Sequence, residues 1–190
     1  MDTKDYRARL APAEFESISS ITEDPMHEYF QRLIAKNPKF AGIDDLYPRG
    51  FGDIHLLPHL TEGQRILIVL AAFDGEVDNG GITQFFWNFP EYSFEVRNAI
   101  KRLGNTALLQ NYERAMASLA DKLDEWSELR DKCYRVEGSP DWESFSQSYD
   151  LLALDWFNDV YSDLQHEFLH QLAEYVRSHR FEFIEESEAL

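Results

Sequence analysis

The chain has 190 residues, of which 44% are hydrophobic and 14% aromatic, a composition that favours a folded core and argues against intrinsic disorder. Its 35 acidic and 18 basic residues give a formal net charge of −17 at pH 7, which should repel nucleic acids and anionic membranes and attract basic partners. The single cysteine, Cys133, excludes an internal disulfide and fits a reducing compartment, and no apolar run is long enough to cross a bilayer. We therefore expect a cytoplasmic protein.

The first part of the chain predicts three segments of different character. Residues 1–22 are weakly periodic and are interpreted as a variable lead-in. Asp24 followed by proline is typical of a helix start, and this helix should run to about Lys36. Residues 40–60 contain three glycines and two prolines, which favours a connecting loop.

The stretch 61–89 predicts the helix on which the fold depends. Thr61 with Gln64 three residues later forms the capping-box pattern that marks a helix start. Residues 66–73 are apolar without interruption, which is typical of a helix buried on all sides. The Asn-Gly-Gly sequence at 79–81 should end this helix, and a second short helix should begin directly after it.

Three helical patterns follow. Residues 92–103 have helical spacing and stop at Gly104. Apolar residues between 108 and 133 recur every three or four positions, which fits one long helix or two helices broken near Asp124. The same spacing continues from 142 to 176. The sequence therefore predicts an all-α protein, a single globular domain of residues 23–180 around a buried central helix, followed by an acidic tail at 181–190 that frays.

Residues 76–88, EVDNGGITQFFWN, resemble the signature E-V-x-N-G-G-x-x-Q-F-F-x-N of the DNA-mimic protein family, which consists of acidic, all-helical bacterial domains. Looser similarity extends over about residues 60–180. The resemblance implies a non-enzymatic protein that binds the DNA-binding surface of a basic partner such as a transcription regulator. The motif residues of most interest are Glu76, Asn79, Gly80, Gly81, Gln84, Phe85 and Asn88. Asn79, Gln84 and Asn88 could line a small polar pocket, but we interpret the motif as structural, with its amides satisfying the backbone groups at two helix ends.

Four acidic residues repeat at intervals of four in the last helical stretch. We call Asp155, Asp159, Asp163 and Glu167 the acidic row; Asp150 and Glu174 flank it. Like charges at this spacing destabilise a helix by a few tenths of a kcal/mol per pair, so the row does not serve the helix itself. We predict that these six residues bind the partner, while the alternative is an ordinary solvated face. No direct nucleic-acid binding and no cofactor are expected, and the protein should be a monomer or homodimer.

The row overlaps a second pattern, His166-Glu167-x-x-His170, which fits the H-E-x-x-H zinc motif. It offers a weaker alternative, a metal-dependent hydrolase with both histidines as ligands. The longer metalloprotease form requires glycine at 173 and histidine at 176, where this chain has alanine and valine. We therefore predict no metal site and no enzyme activity. A third alternative is a generic protein-interaction or immunity-type domain whose acidity serves solubility.

Overall fold

The computed structural model describes residues 9–21, 25–36, 57–58, 60–134 and 141–185. Within these ranges the secondary structure is helical, apart from one isolated β-bridge between Leu10 and Ile184, and the all-α prediction is confirmed. The helices are α1 (Pro12–Ile21), α2 (Pro25–Lys36), α3 (Glu62–Asn88), α4 (Ser93–Leu103), α5 (Thr106–Asp121), α6 (Leu123–Tyr134), α7 (Trp142–Leu152) and α8 (Asp155–Ser178). Short 3₁₀ turns occupy Pro90–Tyr92 and Arg180–Glu182. No helix in the described ranges is both long and apolar enough to cross a membrane.

The predicted helix boundaries are largely confirmed. Helix α4 ends at Gly104, whose left-handed conformation (φ 77) closes it as expected. The run from 108 to 133 is two helices, separated at Lys122. The run from 142 to 176, predicted without a break, is instead interrupted at Ala153 (φ 47). Apolar spacing missed this break because Leu152 and Trp156, on either side of Ala153, are four residues apart, as they would be in a continuous helix.

The N-terminal segment contains a helix that periodicity did not reveal. Helix α1 lies within the predicted lead-in and buries Phe15 and Ile18, which are one turn apart. Most of the predicted loop at 40–60 and residues 186–190 of the predicted tail lie outside the described ranges. The domain boundaries at 22/23 and 180/181 stay predictions.

The described residues divide into two compact units. The terminal unit consists of residues before Phe73 together with those after His166, and the middle unit is Phe73–His166. Helices α3 and α8 contribute residues to both units. Phe73 lies at the centre of an aromatic cluster in the middle unit, with ring centroids 5.3–6.4 Å from those of its neighbours. These neighbours are Phe85, Tyr112, Phe157 and Tyr161.

In the terminal unit, the start of α3 is fixed by the predicted capping box. The Gln64 backbone N–H donates to Thr61 Oγ1, and the Thr61 backbone N–H donates to Gln64 Oε1, each at 3.2 Å. The Glu182 carboxylate accepts a hydrogen bond from the Gly63 N–H, a favourable position for a negative charge at a helix N-terminus. Phe183 is fully buried, and its backbone oxygen accepts from the Leu10 N–H at 2.7 Å. Residues 182 and 183 of the chain end are therefore packed, whereas fraying was expected.

Candidate functional site

The signature motif builds a break within α3. Gly80 (φ −154, ψ 17) and Gly81 (φ 80, ψ 175) are the two residues of α3 with non-helical backbone. The conformation of Gly81 is one that essentially only glycine adopts, because a Cβ would clash with the backbone. The prediction that one helix ends at 79–81 and another follows at once is confirmed.

Two side chains from α7 and α8 hold the backbone of this break. Asn158 Oδ1 accepts a hydrogen bond from the Ile82 N–H at 3.0 Å, and Tyr149 Oη donates to the Gly80 carbonyl at 2.7 Å. The Asn158 side chain also fills the space beside Gly81, where an added Cβ would lie 2.8 Å from Asn158 Cγ. The backbone groups at the break thus form hydrogen bonds with residues far away in the sequence, and Asn158 leaves no room for a side chain at 81.

A buried carboxyl group connects the two sides of the break. Glu76 is 1% exposed, and its Oε2 accepts hydrogen bonds from Gln84 Nε2 and Asn88 Nδ2, both at 2.8 Å. Its Oε1 has no hydrogen-bond partner within the described residues. Burial raises the pKa of Glu76, while the two amide donors act in the opposite direction. The motif therefore places a protonatable group in the protein interior, with neutral donors around one of its oxygens.

This arrangement corrects part of the sequence interpretation. Gln84 and Asn88 were expected to satisfy backbone groups at the helix ends, whereas their amides donate to Glu76 instead. Asn79 is exposed and does not take part in this network. Phe85 is fully buried in the aromatic cluster of the middle unit. All of these contacts are internal, which favours a structural role for the motif.

The three aspartates of the acidic row lie exposed on α8. Asp155, Asp159 and Asp163 lie on successive turns of the helix, so the first and the last are about 12 Å apart along its axis. Within the described ranges, none of their carboxylates forms an ion pair or hydrogen bond with another side chain. Asp155 lies in the first turn of α8, where the helix dipole favours a negative charge, whereas Asp159 and Asp163 lie beyond that turn.

The other three predicted contact residues are also exposed, but two of them have partners of their own. Glu167 continues the spacing in α8 and accepts a hydrogen bond from Gln171 at 2.9 Å. Glu174 forms an ion pair with Arg177, which offsets its charge. Asp150 lies at the end of α7. Among the six residues, Glu174 is thus the one whose charge an ion pair offsets within the described ranges, because the Gln171 amide that donates to Glu167 is neutral.

The two histidines of the H-E-x-x-H pattern are exposed on α8. No group of three or more His, Cys, Asp or Glu side chains is arranged to hold a metal ion in the part of the chain that the structure describes. A catalytic zinc site takes three protein ligands. Within the described residues, no third ligand joins His166 and His170. The hydrolase alternative gains no support from this geometry.

A family model described as DMP19-like protein matches residues 58–179, which is more than half of the chain. The chain belongs to the DMP19-like protein family. The matched range contains α3 to α8 and hence both the break in α3 and the acidic row of this family member. Comparisons with curated proteins and with solved structures gave no match.

Sequence reasoning missed two residues that shape the motif of this DMP19-like protein. Tyr149 and Asn158 bind backbone groups of α3 from 69 and 76 residues away. Neither residue is marked by a local pattern, because both lie within the run of helical spacing from 142 to 176. A weak signal existed in Gly81, because a glycine between buried helices often marks close approach of another group.

Proposed function

We propose that this DMP19-like protein is a DNA mimic. It is a non-enzymatic acidic protein that binds the DNA-binding surface of a basic partner, such as a transcription regulator, and so keeps that partner from DNA. The family membership supports this role, and so does the resemblance of residues 76–88 to the DNA-mimic signature. The structural observation that carries the proposal is the set of aspartates at 155, 159 and 163, which are exposed and form no ion pair with the residues that the structure describes.

The physical argument rests on what DNA-binding surfaces recognise. Proteins bind DNA largely through lysine and arginine side chains that neutralise regularly spaced phosphates. A helix that carries a carboxylate every four residues presents one negative charge about every 6 Å along a rigid axis. Such a row can occupy the same basic groove, and within the described residues the three aspartates have no ion pair that must first be broken.

The charge distribution of the whole chain supports the same function. Residues 121–190 contain 18 acidic and 6 basic residues, and no lysine or arginine occurs between Arg135 and Arg177. An excess of negative charge of this kind speeds encounter with a basic partner at low salt and repels nucleic acid. Physiological salt screens it beyond about 8 Å, so binding should weaken as salt is raised.

The first experiment identifies the partner. The protein is immobilised, exposed to native lysate at about 50 mM salt and eluted by raising the salt through the range in which phosphate contacts are lost. We expect a DNA-binding protein in the eluate, and duplex DNA should displace it. Recovery only of a partner that resists high salt and ignores DNA would contradict mimicry and favour the generic interaction domain.

The second experiment tests the acidic row with that purified partner. The variant carries Asp155→Asn, Asp159→Asn and Asp163→Asn. Its matched control carries Asp121→Asn, Asp124→Asn and Glu128→Gln, which remove the same charge from exposed positions on α5 and α6. At roughly 0.5–1 kcal/mol per lost ion pair, the row variant should bind about 10- to 100-fold more weakly and with a flatter salt dependence. Equal affinity of the two variants would show that the partner binds elsewhere.

A further inference from the structure

One aromatic ring beside the acidic row already binds a guanidinium group. Arg114 of α5 places its Cζ 3.8 Å from the ring centroid of Trp156 on α8. This distance is well within the range of a cation–π interaction, and both residues belong to the middle unit. Arg114 is exposed and Trp156 is half-buried, so the contact lies at the surface.

The position of Trp156 connects this contact with the row. Trp156 follows Asp155 directly and precedes Asp159 by three residues, a spacing that makes side chains neighbours on a helix. Nevertheless, no carboxylate of the described residues lies within 4 Å of the Arg114 guanidinium. Arg114 thus uses the ring but not the acids beside it, and the two kinds of group that bind arginine well are not engaged together.

We propose that Trp156, Asp155 and Asp159 form a binding site for an arginine side chain. Arg114 occupies the ring in the unbound protein, and an arginine of the partner displaces it. This inference rests on the proposed function, because it names the side chain that the acidic row recognises. An arginine that enters from outside can stack on the ring and donate charge-assisted hydrogen bonds to the carboxylates, whereas Arg114 contacts the ring and no carboxylate of the described residues.

The chemistry selects arginine over lysine. The guanidinium is planar, stacks on aromatic faces and is more weakly hydrated than an ammonium group. Arginine is also the side chain that most often reads guanine in DNA, so it is abundant on the surfaces that a DNA mimic must cover. A row of carboxylates alone would attract both cations similarly. The ring of Trp156 therefore supplies the preference.

The test uses the full chain and two labelled peptides, nona-arginine and nona-lysine, with affinity measured by fluorescence anisotropy at about 0.15 M salt. Arg114→Gln should tighten nona-arginine binding about two- to fivefold because it vacates the ring. Lys101→Gln is the matched control, since Lys101 is an exposed cation of the same unit without an ion pair in the described ranges. Trp156→Leu should weaken nona-arginine binding about two- to fivefold and leave nona-lysine nearly unchanged.

The outcomes separate this inference from the proposed function. Equal tightening by Arg114→Gln and Lys101→Gln, or equal weakening of both peptides by Trp156→Leu, would overturn the arginine site while leaving the row intact. If the triple asparagine variant bound both peptides as tightly as the wild type, the acidic row itself would be the wrong surface. Circular dichroism verifies folding, and if Trp156→Leu does not fold, the Arg114 and Lys101 variants decide the matter.

Discussion

Replacement of Gly81 by alanine tests how the break in α3 is built. At φ 80 and ψ 175 an alanine would pay about 1–3 kcal/mol of backbone strain. Its Cβ would also lie 2.8 Å from Asn158 Cγ, so Asn158 must move and give up its hydrogen bond to the Ile82 N–H. Loss of that acceptor costs about 1–3 kcal/mol more. Gly81→Ala should therefore lower the free energy of unfolding by about 2–6 kcal/mol.

The assay is urea denaturation followed by circular dichroism, with Gly75→Ala as the control. Gly75 lies in the helical part of α3 before the break, is exposed, and has no heavy atom within 4 Å of an added Cβ. Alanine there should raise the free energy of unfolding by about 0.5–1 kcal/mol. The two substitutions in one helix should thus have opposite signs.

A double-mutant cycle separates strain from the clash with Asn158. Asn158→Ala removes both the clash and the acceptor, so Gly81→Ala in that background should cost only the strain of about 1–3 kcal/mol. If Gly81→Ala cost the same in both backgrounds, Asn158 would not be the group that excludes a side chain. A cost below about 1 kcal/mol in the wild type would refute the strained conformation itself.

Three further predictions concern stability measured by the same denaturation assay. Burial raises the pKa of Glu76 above its ordinary value of 4.5, so its contribution to stability should be greatest below pH 4.5 and decline as pH rises through the folded-state pKa. Glu76→Gln should remove this decline. A pH profile of stability that is the same in the variant and the wild type would contradict this prediction. Thr61→Ala removes the hydroxyl that accepts from the Gln64 backbone N–H and donates to the Glu182 carbonyl, and it should cost about 1 kcal/mol. A neutral result would show that the Glu182 carboxylate and the remaining bond to Gln64 cap α3 without the hydroxyl. Tyr149→Phe removes the hydrogen bond to the Gly80 carbonyl and should cost about 0.5–1.5 kcal/mol; no loss would mean that water replaces the hydroxyl.

The sequence alone determined the features that depend on neighbouring residues. The start of α3 at Thr61, its break at the two glycines and the end of α4 at Gly104 follow from capping and from the conformational freedom of glycine. The regular placement of the acidic row follows from its four-residue spacing in a helix. The pairing of Glu174 with Arg177, three residues later, was equally local and could have been foreseen.

Only the tertiary structure decided which distant groups meet. Asn158 fills the space at Gly81, and Arg114 covers Trp156 across 42 positions of sequence. The break at Ala153 was hidden for the same reason, because apolar spacing reports which residues are buried and not the direction in which the chain continues. Contacts of this kind are set by how helices pack. The residues next to a single polar or charged residue in a helix do not predict which distant group it will contact.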